Sequence, residues 1–304
     1  MKRITFAFLY MFVCTVTTAL AQNWSPQTAD LLFMSNKDGN GEIYVQRGGT
    51  KEWVNLTNNP VSDNWPVWSP DGTRIAFQRR DSTRFDVWVM NADGSNQTRL
   101  TNDPDHDYIP SWSHDGKQIT FTSWRREPAD TGRAPHIYIM NTDGSNQRRL
   151  VAVTLNTSAG AEWSPDGKYI VYSRRMRGEG ADLFIAESNG KNERRLTDSD
   201  SYYGSPVFSP DGSKLAFYFD AGSSAQIVIM NLDGSGRKVL VAEGYNWYPK
   251  WSPDGTWITY TAYAPGENKQ DLDIYAVSVN GKGAPVRIAV GPSRESESSW
   301  KPTR

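Results

Sequence analysis

The chain has 304 residues, among them 12 Trp, 14 Tyr and 11 Phe, and its formal net charge is −1. This many aromatic side chains at so small a net charge exclude an intrinsically disordered chain. The charge also excludes a strongly basic nucleic-acid-binding protein. The single Cys excludes a disulfide within the chain. The length fits either two ordinary domains or one large all-β domain.

The first 21 residues have the pattern of a secretory signal peptide. Lys2 and Arg3 precede an apolar run over 4–16, and Ala21 ends a small-residue cleavage site. The apolar run is too short to span a membrane as a helix. We therefore expect cleavage after Ala21, a short lead over 22–30, and a mature protein without a membrane span in the periplasm or outside the cell.

Two linked motifs repeat along the remaining chain. The first is Trp-Ser-Pro-Asp-Gly with small variations, at 68–72, 112–116, 163–167, 208–212 and 251–255, and truncated at 299–302. The second is a β-branched and aromatic run that ends in Asp-Gly or Asn-Gly, at 87–94, 137–144, 183–190, 227–234 and 274–281. Repeats of four short strands and about 40–50 residues are typical of β-propeller blades.

Each repeat predicts four antiparallel strands. In the turn after the first strand, Pro70 sets the first corner, Asp71 tolerates the second and Gly72 takes the left-handed conformation. The first repeat lacks its opening strand, whereas an unpaired strand over 298–300 follows the last repeat. We predict an all-β, six-bladed β-propeller over 31–304, closed by pairing of the C-terminal strand with the first blade. Such closure removes open sheet edges.

The recurring aromatic residue at the end of each first strand is predicted to pack between neighbouring blades. One large ring per blade fills the space between two flat sheets. These residues are Trp68, Trp112, Trp163, Phe208, Trp251 and Trp300. We interpret them as core residues rather than as ligand contacts.

The linked motifs resemble the WD-repeat-like blades of TolB-type propellers. The resemblance covers 30–304, and it implies a periplasmic, non-enzymatic protein that binds another protein. Members of that family carry an α/β domain before the propeller, whereas here only 22–30 separate the signal from the first strand. We expect that domain to be lacking, which puts membership of the Tol machinery itself in question.

Variable loops on one face are the predicted binding surface, because function on a rigid scaffold usually lies in its loops. The loops around the channel mouth are aromatic and acidic, and the outer loops of the second to fourth blades are rich in Arg. Tyr, Trp and Arg are enriched at binding hot spots. The predicted binding residues are Trp65, Arg80, Asp107, Tyr108, Trp124, Arg125, Arg175, Tyr202, Tyr203, Tyr245, Trp247 and Glu297. Further Arg residues of the outer loops are Arg79, Arg84, Arg126, Arg133, Arg174 and Arg177.

Signals for catalysis or metal binding are weak. The segment 36–42 resembles the start of a calcium loop, but Arg47 stands where the loop needs Glu, so a hairpin turn is the better interpretation. His106 and His136 lack a third spaced ligand, and no serine-hydrolase elbow occurs. We expect no catalytic residue, metal or cofactor.

The leading hypothesis is a monomeric scaffold that binds a protein or peptide at the channel mouth. Two alternatives remain open. One is a propeller that binds or cleaves an acidic polysaccharide, since aromatic rings stack on sugars. The other is a structural module of an envelope assembly. The sequence does not identify the partner or the pathway.

Overall fold

The computed structural model describes residues 25–26, 28–128, 130, 134–152, 160–175, 180–198, 201–263, 271–291 and 293–303, and every regular element in these ranges is a β-strand. The predicted signal peptide lies outside them. None of the described residues forms a helix that could cross a membrane. The strands are β1 Leu31–Ser35, β2 Glu42–Gln46, β3 Trp53–Asn55, β4 Asp63–Trp68, β5 Arg74–Asp81, β6 Arg84–Asn91, β7 Thr98–Arg99, β8 Asp107–Trp112, β9 Gln118–Ser123, β10 His136–Asn141, β11 Arg148–Val151, β12 Glu162–Trp163, β13 Tyr169–Arg175, β14 Ala181–Glu187, β15 Arg194–Arg195, β16 Tyr202–Phe208, β17 Lys214–Asp220, β18 Ala225–Asn231, β19 Lys238–Val241, β20 Asn246–Trp251, β21 Trp257–Tyr263, β22 Leu272–Ser278, β23 Val286–Ala289 and β24 Glu295–Trp300.

The strands pair antiparallel within each sequence repeat, as predicted. Four sheets have four strands each: β24-β1-β2-β3, β4 to β7, β8 to β11 and β20 to β23. The fourth and fifth repeats, β12 to β15 and β16 to β19, join in one eight-stranded sheet. The structure therefore has five hydrogen-bonded sheets, where the sequence predicted six.

One parallel residue pair joins the two halves of the large sheet. Ala181 pairs with Tyr202, and the Ala181 N–H donates to the Ser201 carbonyl at 3.2 Å. A related backbone bond links two other pairs of neighbouring repeats. The Asp63 N–H donates to the Gly41 carbonyl at 2.7 Å, and the Ala225 N–H donates to the Gly244 carbonyl at 2.9 Å. A backbone hydrogen bond of the same kind thus joins three pairs of neighbouring repeats. Only between the fourth and fifth repeats does it accompany a parallel strand pair, which fuses their sheets.

The C-terminal strand completes the first repeat, which confirms the predicted pairing. β24 runs antiparallel to β1, with Trp300 opposite Leu31 and Glu295 opposite Ser35. The first strand of each repeat, here called the inner strand, contacts that of the next repeat. The contacts run in the cyclic order β24, β4, β8, β12, β16, β20 and back to β24. The inner strands therefore form a closed ring.

Side chains of the inner strands meet inside this ring. Glu162 of β12 forms an ion pair with Lys250 of β20. The same carboxylate accepts a hydrogen bond from the Ser111 hydroxyl of β8 at 2.8 Å. Polar side chains from three repeats therefore bridge the interior of the ring.

The apolar core lies between neighbouring repeats. It forms six clusters, and each cluster draws its residues from two successive repeats. Trp68, Trp112, Phe208 and Trp300 are buried within these clusters, and Trp163 and Trp251 pack against them. The prediction that the recurring aromatic residues are core residues is confirmed.

The Ser-Pro-Asp-Gly turns are built as the sequence predicts. Gly72 has φ +66°, and its N–H donates to the Ser69 carbonyl at 2.8 Å. The Ser69 hydroxyl donates to Asp71 at 2.6 Å and accepts from the Arg74 N–H at 2.9 Å. A side chain and two backbone groups thus fix the same turn, which explains its repeated use.

The segment 36–42 is a hairpin connection, as expected. β1 ends at Ser35, β2 begins at Glu42, and the Gly39 N–H donates to the Asn36 carbonyl at 3.0 Å. Gly39 has φ +105°, a conformation that glycine adopts without steric cost.

Candidate functional site

The connections of each repeat divide between two faces. The turn face carries the Ser-Pro-Asp-Gly turns and the later Asp-Gly turns. The loop face carries the connections from second to third strand and from fourth strand to the next inner strand. The predicted binding residues belong mostly to the loop face.

A β-bulge interrupts the inner strands where they approach the loop face. The pairing register shifts within β4, β8, β16 and β20, and in β1 opposite β24. The residue three before the recurring aromatic is left-handed in five repeats: Trp65 (φ 54°), Ile109 (52°), Ser205 (49°), Tyr248 (55°) and Glu297 (60°). In the remaining repeat the equivalent residue is Gly160, where a Cβ would lie 2.6 Å from Ile109 Cγ2.

These left-handed residues are strained, because large and β-branched side chains rarely adopt positive φ. Proline follows the bulged residue in four of the repeats, as Pro66, Pro110, Pro206 and Pro249. Proline is tolerated at a bulge because no ladder hydrogen bond is required of it there. Backbone strain of this kind is often concentrated at binding sites.

The bulges bring aromatic and acidic side chains together in what we call the mouth cluster: Trp65, Tyr202, Tyr218, Tyr248 and Glu297. The Trp65 N–H donates to Glu297 Oε2 at 3.0 Å. The rings of Trp65 and Tyr248 meet edge to face with centroids 4.8 Å apart. The rings of Tyr202 and Tyr218 stack with centroids 5.9 Å apart. A Cβ at Gly204 would collide with the Tyr218 ring, so glycine makes room for that ring.

Glu297 provides the one carboxyl of the mouth cluster, and the pKa of this carboxyl is strongly shifted. Its side chain belongs to a residue that is 9% exposed. Burial raises the pKa of this carboxyl to about 7, against the lowering effects of the Trp65 N–H and the Arg294 charge. Burial and the nearby Glu297 charge raise the pKa of the Tyr248 phenol to about 12. Glu297 therefore changes charge near neutral pH.

A second aromatic group, the rim cluster, consists of Tyr245, Trp247 and Tyr263. Tyr245 and Trp247 stack with centroids 5.8 Å apart, and Tyr263 lies edge-on to Trp247 at 5.4 Å. Between them Asn246 is buried, and its amide donates to the Ala225 carbonyl at 2.7 Å. Tyr245 is 40% exposed. The cluster is thus a firmly anchored aromatic surface that is open to solvent.

Other predicted binding residues are engaged within the fold. Asp107 is fully buried and pairs with Arg125 at 2.5 Å. Tyr203 is 3% exposed and packs against Phe217 and Phe219. These three side chains of the predicted set therefore lie inside the fold rather than on its surface.

Tyr108 and Trp124 remain at the surface as half-buried neighbours. The Trp124 indole N–H donates to the Tyr108 hydroxyl at 3.1 Å. Both lie towards the loop face of the third repeat, Tyr108 in β8 and Trp124 directly after β9.

The Arg residues of the outer loops divide into two groups. Arg80, Arg126 and Arg175 are exposed. Three others are held by carboxylates: Arg79 by Asp63, Arg84 by Asp86 and Arg174 by Glu193. Arg133 and Arg177 lie outside the described residues. Among the described residues, the exposed arginines of the predicted basic surface are therefore Arg80, Arg126 and Arg175.

The two histidines considered as metal ligands each have a partner in the fold. His106 Nδ1 accepts from the Phe85 N–H at 3.2 Å, and His136 Nε2 lies 3.3 Å from Asp130. Burial lowers the pKa of His136. Within the ranges that the structure describes, no three His, Cys, Asp or Glu residues are grouped for a metal ion.

The sequence did not single out Tyr218 and Tyr263. Both lie near the ends of second strands, in β17 and β21, where those strands reach the loop face. The sequence does offer a signal for them: each is an aromatic residue near the end of a second strand. That strand pairs with an inner strand that contains a bulge. The bulge itself could have been recognised from the recurrent Pro two residues before the aromatic.

A family model described as the TolB beta-propeller domain matches residues 14–181 and 176–304. A Tol-Pal system protein TolB of Francisella tularensis is 37% identical over 131 residues, 42% of this chain and 29% of that protein. An uncharacterised protein of Agrobacterium fabrum is 27% identical over 147 residues, 46% of this chain and 50% of that protein. The chain thus matches half or less of the length of these curated relatives.

Among solved structures, TolB from Acinetobacter baumannii superposes with a TM-score of 0.78 at 18% identity. The match covers 92% of this chain and 68% of that chain. A likeness at this identity shows the fold alone, and the fold is an all-β propeller.

Proposed function

The chain belongs to the TolB beta-propeller family, and we propose that it is a six-bladed scaffold that binds a protein or peptide partner on its loop face. Binding rather than catalysis is its proposed role. The relatives named as Tol-Pal system proteins support a partner from the bacterial envelope. Since the match covers only 29% of such a relative, the choice of partner is part of the proposal.

Six blades are supported by the packing between repeats. Six core clusters lie between successive repeats, one for each neighbouring pair. Six inner strands contact one another in a closed ring. The two repeats that share a sheet are connected through the single pair Ala181 and Tyr202.

The rim cluster carries the proposal of a binding surface. Tyr245, Trp247 and Tyr263 offer a large aromatic surface that loses little conformational entropy on binding, because their rings already pack against one another. Such rigid aromatic residues dominate binding energy at protein interfaces. The mouth cluster adjoins the same face through Trp247 and Tyr248, which are consecutive in β20.

The proposed location is the periplasm or the exterior of the cell. The signal-peptide pattern over the first residues and the Tol-Pal relatives support it. A mature N-terminus at Gln22, found by mass spectrometry of protein recovered from a periplasmic fraction, would test the cleavage. Light scattering on the same material tests the expected monomer.

Partner capture tests the function. The tagged protein is incubated with a periplasmic extract of its own host, and retained proteins are identified at defined stoichiometry. The variant Tyr245→Ala/Trp247→Ala is expected to lose the partner, whereas Tyr169→Ala is expected to keep it. Tyr169 is a matched control because it is 41% exposed on the turn face. Equal recovery with all three proteins would reject the rim cluster as the contact.

Carbohydrate binding is a second candidate, and it rests on the same stacked pair of Tyr245 and Trp247. An exposed aromatic face also accommodates a sugar ring. A glycan array that gives a signal lost in Tyr245→Ala/Trp247→Ala would favour this candidate. Release of unsaturated product from an acidic polysaccharide would extend it to lyase activity.

A further inference from the structure

A buried carboxylate without a paired cation lies in the mouth cluster. Three other buried carboxylates, Asp63, Asp86 and Asp107, each hold an arginine. Two more, Glu42 and Glu295, form no ion pair within the described residues, and each accepts three hydrogen bonds from side chains and backbone N–H groups instead. Within the described ranges Glu297 forms no ion pair, and its carboxylate accepts the Trp65 N–H at 3.0 Å. A buried charge without a counter-ion carries a desolvation penalty of several kcal/mol. The site is therefore electrostatically complementary to a cation from outside the chain.

The aromatic rings around Glu297 also lack a cation. Elsewhere in the chain, aromatic faces are covered by the protein's own basic residues, such as Arg79 over Trp88 at 4.5 Å and Arg174 over Phe184 at 3.7 Å. No described Lys or Arg lies over the rings of Trp65, Tyr202 or Tyr248. These half-buried rings could therefore each contribute a cation–π interaction to a bound ligand.

The donor set fits an organic cation better than a metal ion. Mg²⁺ and Ca²⁺ take six or more oxygen ligands, often several carboxylates. The mouth cluster offers a single carboxylate, which accepts the Trp65 N–H and acts on the Tyr248 phenol. One Glu297 oxygen already accepts the Trp65 N–H, and a hydrogen bond from the Ser296 side chain also lowers the pKa of this carboxyl. A guanidinium prefers both oxygens of a carboxylate, whereas an ammonium needs only one.

We propose that the mouth cluster is a cage for one alkylammonium group, the end of a lysine side chain on the partner, with Glu297 as its counter-ion. The proposal rests on the proposed function, because a docked partner supplies the lysine. It assigns the aromatic rings of Trp65, Tyr202 and Tyr248 to the walls of the cage. The strained, left-handed backbone of Trp65, Tyr248 and Glu297 holds carboxylate and rings together.

Arg294 is the chain's own competitor for this site. It is exposed, and its charge lowers the pKa of both Glu297 and Tyr248. Removal of this positive charge should therefore tighten the binding of a cation at the cage. An ordinary structural role for Glu297 would not predict such a gain.

The test uses n-butylammonium, which reproduces the end of a lysine side chain, and follows the Trp65 amide by NMR in deuterated, ¹⁵N-labelled protein. The Trp65 N–H reports directly on the Glu297 carboxylate to which it donates. At about pH 8, where Glu297 is ionised, n-butylammonium should shift this signal saturably. The neutral probe 1-butanol should not. An equal shift with 1-butanol, or none with n-butylammonium, would overturn the cage.

Four variants then test which side chains are responsible for the binding of n-butylammonium. Glu297→Gln, which keeps an acceptor for the Trp65 N–H, should weaken n-butylammonium binding about tenfold or more. Tyr202→Leu, which keeps the carboxylate, should weaken it by roughly threefold to tenfold. Arg294→Ala should tighten it, and Glu243→Gln, an exposed carboxylate of a neighbouring loop, should leave it unchanged. Binding to Glu297→Gln at wild-type affinity contradicts the proposal.

The pH dependence gives an independent check. Protonation of Glu297 at about pH 5 should abolish n-butylammonium binding. The other charged or titratable groups that act on Glu297 and Tyr248 are the Arg294 guanidinium and the Tyr202 phenol. If n-butylammonium binds while partner capture fails, the proposed function fails and the cage stands. If the partner is captured but n-butylammonium does not bind, only the cage fails.

Discussion

Both the turn face and the loop face contain residues with left-handed backbone, but different residue types adopt it on the two faces. On the turn face, glycine and asparagine take the left-handed positions, as at Gly72 (φ +66°), Gly116 (φ +67°) and Asn96 (φ +55°). On the loop face, residues with large side chains take similar angles, among them Trp65 and Tyr248. Glycine and asparagine adopt this conformation more readily than other residues, so they suit positions where only the turn matters. On the loop face the strained Trp and Tyr belong to the surface proposed to bind a partner.

The two faces also differ in the ionisation of their acids. Hydrogen bonds from Ser69 and from the Thr73 N–H lower the pKa of the exposed Asp71 to about 2. Burial instead raises the pKa of Glu297 to about 7. Asp71 thus stabilises its turn in the charged form, whereas Glu297 of the loop face is held in a site that disfavours its charge. The contrast agrees with a structural role for the turn and with the binding role that we propose for the loop face.

The largest expected effect comes from opening the closed ring of inner strands, which supports both faces. Deletion of 296–304 removes most of β24, including Trp300, which is 6% exposed between the first and last repeats. We expect loss of the cooperative thermal transition, or polymers formed through the open edge of β1. Circular dichroism and light scattering measure both. A deletion of 302–304 is the control, and a full-length melting temperature after the longer deletion would contradict ring closure.

The next largest effect is the pH-dependent change in stability that follows from the raised pKa of Glu297. The pKa of Glu297 is about 7 in the fold and 4.5 in the reference state, so the folded protein binds the extra proton between these values. The stability contributed by this group is therefore fully present below pH 4.5 and is lost as the pH rises through 7. Above that range Glu297→Gln should be more stable than the wild type by up to roughly 3 kcal/mol.

Urea unfolding at about pH 5 and pH 8 checks this prediction. The gain of Glu297→Gln should appear at the higher pH and shrink at the lower. The exposed Glu243→Gln is the control and should follow the wild type at both. A destabilised Glu297→Gln at the higher pH would contradict the raised pKa of Glu297.

A smaller effect compares left-handed residues directly. Gly72→Ala introduces a side chain at φ +66° and should cost about 1–2 kcal/mol through backbone strain. Ser205→Gly relieves the same strain at φ 49° and should change stability by no more than about 1 kcal/mol, in the stabilising direction. Differential scanning calorimetry of both variants measures the contrast. A strongly destabilised Ser205→Gly would refute the claim that strain is held on the loop face.

The smallest effect concerns the one repeat with Phe in place of Trp. A cleft of about 290 Å³ lies beside Phe208, lined by Pro165, Tyr169 and Leu232 among others. Phe208→Trp should fill part of it and stabilise the protein by roughly 0.5–1 kcal/mol. The new indole N–H would reach the preceding inner strand, as the Trp112 N–H reaches the Val67 carbonyl at 3.3 Å. Partner capture should be unchanged, since the cleft lies on the turn face.

The sequence predicted the parts of the fold that local chemistry determines. The Ser-Pro-Asp-Gly turns, the interfacial Trp residues and the pairing of 298–300 with β1 follow from motifs that repeat. The junction at Ala181 and Tyr202 was not predicted, because a single backbone pair between repeats leaves no sequence pattern.

The candidate site was predicted less completely. Trp65, Tyr202 and Glu297 were chosen for residue type, and the structure brings them together. Whether Asp107 faces solvent depends on Arg125, which lies 18 residues away and reaches it only after β8 and β9 pair. The bulges were missed because Trp, Tyr and Glu have no preference for left-handed backbone, so packing around the ring imposes it.

Site-specific photo-crosslinking in living cells tests the division between the faces most directly. A photoreactive phenylalanine derivative is placed at Trp247 on the loop face or at Tyr169 on the turn face, both aromatic positions with access to solvent. The account predicts a discrete adduct with one envelope protein from position 247 and none from position 169. An adduct from position 169 with none from position 247 would contradict it.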